Sequence, residues 1–344
     1  MNKLLIFFSM LLAGVVATAQ TDAVKIGIIG LDTSHSVAFS QELNKKGADD
    51  YYVNKFEVVA AYPYGTKTIP SASKRIKGYI ETVKKLGVEI VGSIDELLKK
   101  VDCVFIETND GRLHLEQAAK VLKSGKKCFI DKPLGSTLAE CMAIYKLAEK
   151  YQRPIFSSSA LRFSTVNADV RAGKYGVVKG ADAFSPHHPE AALDDKGVST
   201  HPDFGYYGIH GVEILYTLLG TGCDYVSRVH SAQGDIVSGV WKDGRLGTFR
   251  ALTTGPAVYG GTVFLENKQM PAGEYMGYKV LLDAVLKFFE TDVPPVSKEE
   301  TLEIFAFMEA SNLSLKKGGK IVHVEDMYQP AEKKAEKLLK PYLP

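Results

Sequence analysis

The sequence predicts two joined architectures. The first is an N-terminal α/β domain with a doubly wound parallel sheet. The second is a C-terminal α+β domain with an open-faced, mostly antiparallel sheet and helices on one face. Three observations carry this prediction. From Val24 onward, short apolar runs alternate with helix-period segments, the rhythm of a parallel sheet wrapped by helices. Beyond about Ser159 the rhythm changes to several strand-like runs with few helices between them. The chain, at 344 residues, is also too long for one ordinary domain.

The first strand is Val24–Gly30 and the second Phe56–Tyr62, with a helix over Ser36–Lys46 between them. Pro70–Leu86 has helical spacing and Val88–Val91 is a short strand. Ser93 and Glu96 form a capping box that opens the next helix, and Cys103–Glu107 is a buried strand. Leu113–Ser124 is helical and ends at Gly125, which suits a left-handed cap. Lys127–Ile130 is a strand, Thr137–Tyr151 a helix with a second capping box at Thr137 and Glu140, and Ile155–Ser158 the strand after it. A short helix near Val166–Ala172 leads to strands at Val177–Ser185, Tyr225–Ser231, Ile236–Trp241, Leu246–Leu252 and Thr262–Leu265. The helix Tyr206–Leu219 interrupts them, and Tyr275–Glu290 and Lys298–Lys316 close the chain around Pro294-Pro295. The expected division is residues 1–20, 21–158 and 159–344.

Residues 1–20 read as a signal peptide. Lys3 supplies a positive start, Leu4–Val16 an apolar run too short to span a bilayer, and Ala17-Thr18-Ala19 a small-x-small cleavage site. Cleavage near Ala19 places the mature protein in a periplasm or outside the cell, with no membrane span. The net charge of +2 offers no basic stripe, which argues against nucleic acid as a partner. The cysteines Cys103, Cys128, Cys141 and Cys223 form no C-x-x-C; Cys103 and Cys128 lie in apolar runs and read as core.

The chemistry begins where the first strand ends. A dinucleotide site there wants G-x-G-x-x-G, with bare backbone to meet a pyrophosphate. The chain gives Gly30-Leu31-Asp32-Thr33-Ser34-His35, so only the first glycine is kept and Asp32 puts a carboxylate where the anion should lie. The second strand ends at Tyr62, which offers an adenine a ring to stack on but no acid for a ribose. Later strand ends carry Thr108-Asn109, with His114 opening the following helix, and Asp131-Lys132-Pro133. A lysine at the carboxyl end of a parallel strand faces the crevice where open sheets bind ligands; the plainer alternative is a solvated loop lysine.

These segments resemble the Gfo/Idh/MocA (glucose–fructose oxidoreductase / inositol dehydrogenase) family. Asp131-Lys132-Pro133 is similar to its E-K-P motif, His114 through Ala119 to its H-x-x-x-A helix, and Tyr206 through Glu213 to its D-x-G-x-H-x-x-D helix. Ser297-Lys298-Glu299-Glu300 also fits the pattern. The resemblance implies a Rossmann-like first domain and a second domain whose sheet pairs subunits into a homo-oligomer. It implies Lys132 and His210 as catalytic residues beside a nicotinamide, with Tyr206 at the place of the family's aspartate and Glu213 at its last acid. Arg162, Tyr207 and Glu213, with Lys132, are then expected against the substrate; Gly30, Asp32, Thr33, Ser34, His35, Tyr62, Thr108, Asn109, His114 and Asp131 are expected around the cofactor.

Three functions stay open. The first is hydride transfer on a sugar, polyol or glycoside with a tightly held NAD or NADP. The second is cofactor-independent elimination, hydration or epimerisation of an oxidised sugar, with or without a divalent metal, for which Asp32 and His35 are the candidate ligands. The third is a non-catalytic carbohydrate-binding protein on the same fold. His187, His188, His201 and Asp203 are further ligand types, in a polar connection over 185–203, where solvated side chains are the commoner outcome.

Overall fold

Short buried runs in the N-terminal half of the sequence dictate the first layer. In the computed structural model, which describes residues 23–45, 50–201 and 203–343, the segment 1–20 that reads as a signal peptide and the side chain of Asp203 lie outside the described residues. The first sheet is built from β1 (Val24–Ile29), β2 (Phe56–Tyr62), β3 (Glu89–Ile90), β4 (Cys103–Ile106), β5 (Lys127–Ile130) and β6 (Ile155–Phe156). All are parallel, in the order β3-β2-β1-β4-β5-β6, so the chain reverses direction across the sheet between β1 and β4. That switch point is where doubly wound sheets open a ligand crevice.

The connecting helices are α1 (Ser34–Leu43), α2 (Tyr51–Lys55), α3 (Pro70–Ser73), α4 (Ile76–Lys85), α5 (Ile94–Leu98), α6 (His114–Lys123) and α7 (Leu138–Lys150). The helix expected over 70–86 is two helices, because the chain turns at Lys74-Arg75. Thr137 and Glu140 cap α7 reciprocally, as a capping box should.

The second sheet follows α8 (Thr165–Arg171). Its strands are β7 (Val178–Pro186), β8 (Cys223–Ser231), β9 (Gly234–Trp241), β10 (Leu246–Leu252), β11 (Gly260–Leu265), β12 (Gln269–Ala272) and β13 (Val322–His323). They are ordered β12-β11-β7-β10-β9-β8-β13, with β7 and β10 the one parallel pair of this sheet among the described residues. The helices α9 (Ile209–Leu219), α10 (Lys279–Thr291), α11 (Lys298–Lys316) and α12 (Tyr328–Leu339) complete the chain. Two of them, α9 and α11, lie against this sheet. Gly211 lets α9 approach closely: a Cβ there would stand 2.3 Å from the Phe249 ring.

The sequence division at 158/159 is crossed by two C-terminal helices. Phe288 and Phe289 of α10 pack edge-on and stacked against Phe156 and Phe105 of the first sheet. The unanticipated α12 buries Ala331, Ala335 and Leu339, one face at helical spacing, and lies along α7. Both helices therefore fasten the two sheets to one another, which fixes the cavity between them. All four cysteines are free and buried. No helix among the described residues is long and apolar enough to cross a membrane.

Candidate functional site

The turn after β1 is closed by the chain itself. Gly30 adopts φ 93°, and its backbone lies so close to Thr108 that a Cβ would come within 2.7 Å. The Asp32 carboxylate does not face a crevice: it is fully buried and accepts from the Thr66 amide at 2.7 Å and the Asn109 amide at 3.3 Å. It thus clasps the loops after β2 and β4 over the turn. Segment 63–66 folds across the same place, with the Leu31 amide donating to the Pro63 carbonyl and Gly65 wedged against Asp32 and Thr108. Burial raises the Asp32 pKa, against the lowering effect of its Thr66 and Asn109 hydrogen bonds.

Beyond the clasp lies a buried polar cluster. His35 Nδ1 is 3.0 Å from Asp131 Oδ1 and 3.9 Å from Glu107 Oε2, and Thr33 Oγ1 donates to Glu107 Oε2 at 3.3 Å. Burial, and then the charge of Asp131, push the Glu107 pKa well up. Burial acts upward on Asp131 too, yet His35 and Lys132 outweigh it and its pKa is lowered. The Lys132 amide donates to Asp131 Oδ1 at 2.8 Å, which fixes the start of the lysine loop. Burial lowers the Lys132 ammonium pKa, against the opposing pull of Asp131, Glu107 and Glu213.

The second sheet brings the other half. His210 on α9 has Nδ1 2.7 Å from Ser159 Oγ. Burial and the neighbouring Lys132 and His35 hold its pKa well below the usual imidazole range, so it is neutral at pH 7. Tyr206 accepts a short hydrogen bond from Asn109 Nδ2, and the Lys132 ammonium sits 5.9 Å over the Tyr207 ring. These residues surround one cavity of about 870 Å³ between the sheets. Thr33, Ser34 and His35 line it from α1, Asn109, Asp131 and Lys132 from the strand ends, and Tyr206, Tyr207 and His210 from the opposite wall. Tyr259, Tyr275 and Tyr278, which the sequence did not single out, supply three more phenols.

Several expected site residues stand elsewhere. Arg162 and Glu213, expected against substrate, are buried behind the wall: Arg162 bonds Glu213 Oε2 at 2.7 Å and also pairs with Glu300. His114 is fully buried, its ring nitrogens 2.7 Å from the Thr108 carbonyl and 3.1 Å from the Leu134 carbonyl, so it ties two loops. Tyr62 borders a separate cavity of about 350 Å³ that shares no lining residue with the larger one. Asp32 and His35, paired in the sequence reading as metal ligands, bond different partners; the group that does converge is His35, Glu107 and Asp131. Glu107 went unnoticed, although an acid ending an otherwise apolar strand was a visible signal.

Residues 24–158 match the family model described as an oxidoreductase family with an NAD-binding Rossmann fold. Over these residues the chain is similar to the Gfo/Idh/MocA family. A curated relative, the uncharacterized oxidoreductase YhhX of Escherichia coli K12, is 23% identical over 141 residues. That match spans 39% of this chain and only 40% of the relative's length. Among solved structures, myo-inositol dehydrogenase from Lactobacillus casei with NAD(H) and myo-inositol superposes with TM-score 0.65 at 17% identity. It covers 88% of this chain and 96% of its own. The scyllo-inositol dehydrogenase of the same organism, with NAD(H) and scyllo-inositol, gives the same score and identity, covering 88% and 99%. The likeness of fold to these dehydrogenases therefore extends through the second sheet.

The family's dinucleotide does not fit this turn. A pyrophosphate needs unengaged amides and free space over the β1 turn. Here the Leu31 amide is taken by the Pro63 carbonyl, Gly65 stands against Asp32 and Thr108 over the turn, and the Tyr62 cavity shares no lining residue with the Lys132 cavity.

Proposed function

We propose that this protein is an enzyme that moves protons at carbon and oxygen of a polyol or oxidised sugar held in the large cavity, without a dinucleotide over the β1 turn. The observation that carries the reading is the meeting of Lys132 from the first sheet with His210 from the second on one cavity, beside a closed glycine turn. A cavity of about 870 Å³ suits a ligand of one or two sugar rings. Its six tyrosines, Tyr206 and Tyr207 among them, offer both hydroxyls and flat apolar faces, the mixture a sugar presents in return. The inositol-binding relatives support a polyhydroxylated ligand.

In this reading Lys132 stands at a substrate oxygen and stabilises the negative charge that develops there when a neighbouring carbon loses its proton. Ser159 fixes the His210 ring through Nδ1, leaving the other ring nitrogen to take or return that proton. Tyr206, held by Asn109, orients a hydroxyl; burial raises its pKa, so it stays a hydrogen-bond donor at neutral pH. Epimerisation and elimination both follow from such a step. The work needs no exchangeable cofactor, which accords with the export that the leader sequence predicts.

The test is solvent-deuterium exchange, by mass spectrometry, into a keto-inositol or keto-sugar with no dinucleotide added. Exchange that disappears in Lys132→Met, with the fold retained, supports the proposal. Stoichiometric nicotinamide released on denaturation, together with no exchange, would overturn it in favour of hydride transfer.

A further inference from the structure

We propose that His35, Glu107 and Asp131 form a site for one divalent transition-metal ion, Mn2+ or Zn2+, at the floor of the large cavity. The three residues come from the loops after β1, β4 and β5, far apart in sequence, and each brings a ligand atom to within 4.8 Å of the other two. His35 Nδ1 lies 3.0 Å from Asp131 Oδ1 and 3.9 Å from Glu107 Oε2. Ligands at about 2.1 Å from a shared ion stand roughly 3.0–3.4 Å apart, so small side-chain shifts complete the set.

A second, independent observation points to a missing cation. Glu107 is fully buried, and its Oε1 has no hydrogen-bond partner. Its other oxygen accepts one hydrogen bond, at 3.3 Å from Thr33, with His35 Nδ1 3.9 Å away. An unpaired carboxylate oxygen beside a second buried carboxylate is costly, and a dication offsets both charges at once. One imidazole and two carboxylates are a donor set that suits Mn2+ or Zn2+ better than a soft ion.

The surroundings are those of a held site. Thr33 orients Glu107, the Lys132 amide orients Asp131, and the edge of Tyr278 packs at 4.3 Å on the His35 ring. His35 and Asp131 also line the cavity, so the ion keeps an open side toward a ligand. On the proposed proton-transfer reading, that open side would take the carbonyl or hydroxyl oxygen of the sugar and polarise it.

The binding test uses the full chain, stripped with EDTA and titrated with Mn2+ or Zn2+ alone by calorimetry, with no substrate present. One ion per chain is expected, with an affinity that falls at least about tenfold in Glu107→Gln and in His35→Gln. X-ray absorption of the Zn2+ form should show oxygen donors with one imidazole and no sulfur. Circular dichroism identifies any variant that has failed to fold, and the isosteric Glu107→Gln is then decisive. Binding well below one ion per chain, or equal affinity in folded Glu107→Gln, would overturn the proposal. Deuterium exchange into a keto-sugar is scored separately, so loss of the metal site and loss of the proton-transfer reading are distinguishable.

Discussion

Acidification should loosen the 185–203 connection through His201. Its Nε2 accepts from the Gly111 amide at 3.1 Å, and its Nδ1 faces Thr200 Oγ1 at 2.8 Å. A nitrogen that accepts cannot also carry a proton, so protonation breaks the tie between this segment and the loop after β4. Burial first, with His114, Lys132 and Arg112 acting the same way against Asp110, pushes the His201 pKa down to about 3. A depressed folded value means that stability is intact above the unfolded pKa near 6.5 and falls as pH drops from there toward 3. At pH 5 the unfolded state alone takes up the proton, which costs about 2 kcal/mol relative to pH 8, and any folded value below about 4 gives the same figure. The perturbation is His201→Gln, whose amide oxygen can accept from Gly111 and gains no proton. Urea unfolding of both proteins at pH 8 and pH 5 gives the answer as a difference of differences. The raised pKa values of Asp32 and Glu107, which favour the folded state as pH falls, cancel in that comparison. His201→Gln should gain about 2 kcal/mol on the wild type between pH 8 and pH 5. A gap between the two proteins that is the same at both pH values would refute the argument.

Other consequences are as direct. Arg162→Met removes the cationic partner of buried Glu213 and leaves buried Glu300 with Arg171 alone, and should cost about 3–5 kcal/mol by denaturant unfolding. Gly211→Ala drives a methyl into Phe249 and should cost about 1–3 kcal/mol while leaving α6 and α7 as protected from hydrogen exchange as before. Asp32→Ala leaves the Thr66 and Asn109 amides unpaired; a loss of about 1–3 kcal/mol for each amide is expected in thermal unfolding, and Asp32→Asn, which keeps one accepting oxygen, should lose less. Wild-type protein titrated with millimolar NAD should give no saturable heat, because the turn is already engaged.

Most of the first sheet was legible because its strands are buried on both faces and read as apolar runs between turn signals. The Thr137 capping box formed in full, whereas Glu96 bonds the Gly92 amide instead of closing the box on Ser93. The two-residue β13 is shorter than any periodicity can register, and α12 showed only alanines and one leucine on its buried face. In the site, Lys132 was readable from its place at a strand end. The clasp was not, because Asp32 bonds backbone amides, and an amide carries no sequence identity. Nor was the His35, Glu107 and Asp131 cluster, whose members meet only once β1, β4 and β5 lie side by side. Arg162 and Glu213 were misplaced for a related reason: charge suggests a ligand, and only burial reveals a partner.

The departures from G-x-G-x-x-G act as a pair. Side chains stand at the second and third glycine positions, and they run to opposite sides: Asp32 to the loops of Thr66 and Asn109, His35 to Asp131 and Glu107. Each uses volume that a bare turn would leave for a ligand, and each is tied to side chains or amides of other loops within the protein. The turn has thereby changed from a surface that binds an anion into one that binds its own chain. Glycine at Asp32 alone would leave His35 and segment 63–66 in place, and glycine at His35 alone would leave the clasp shut. Neither single reversal restores a pyrophosphate cradle, and this self-engagement at two positions is why the chemistry must be sought on the Lys132 side of the clasp.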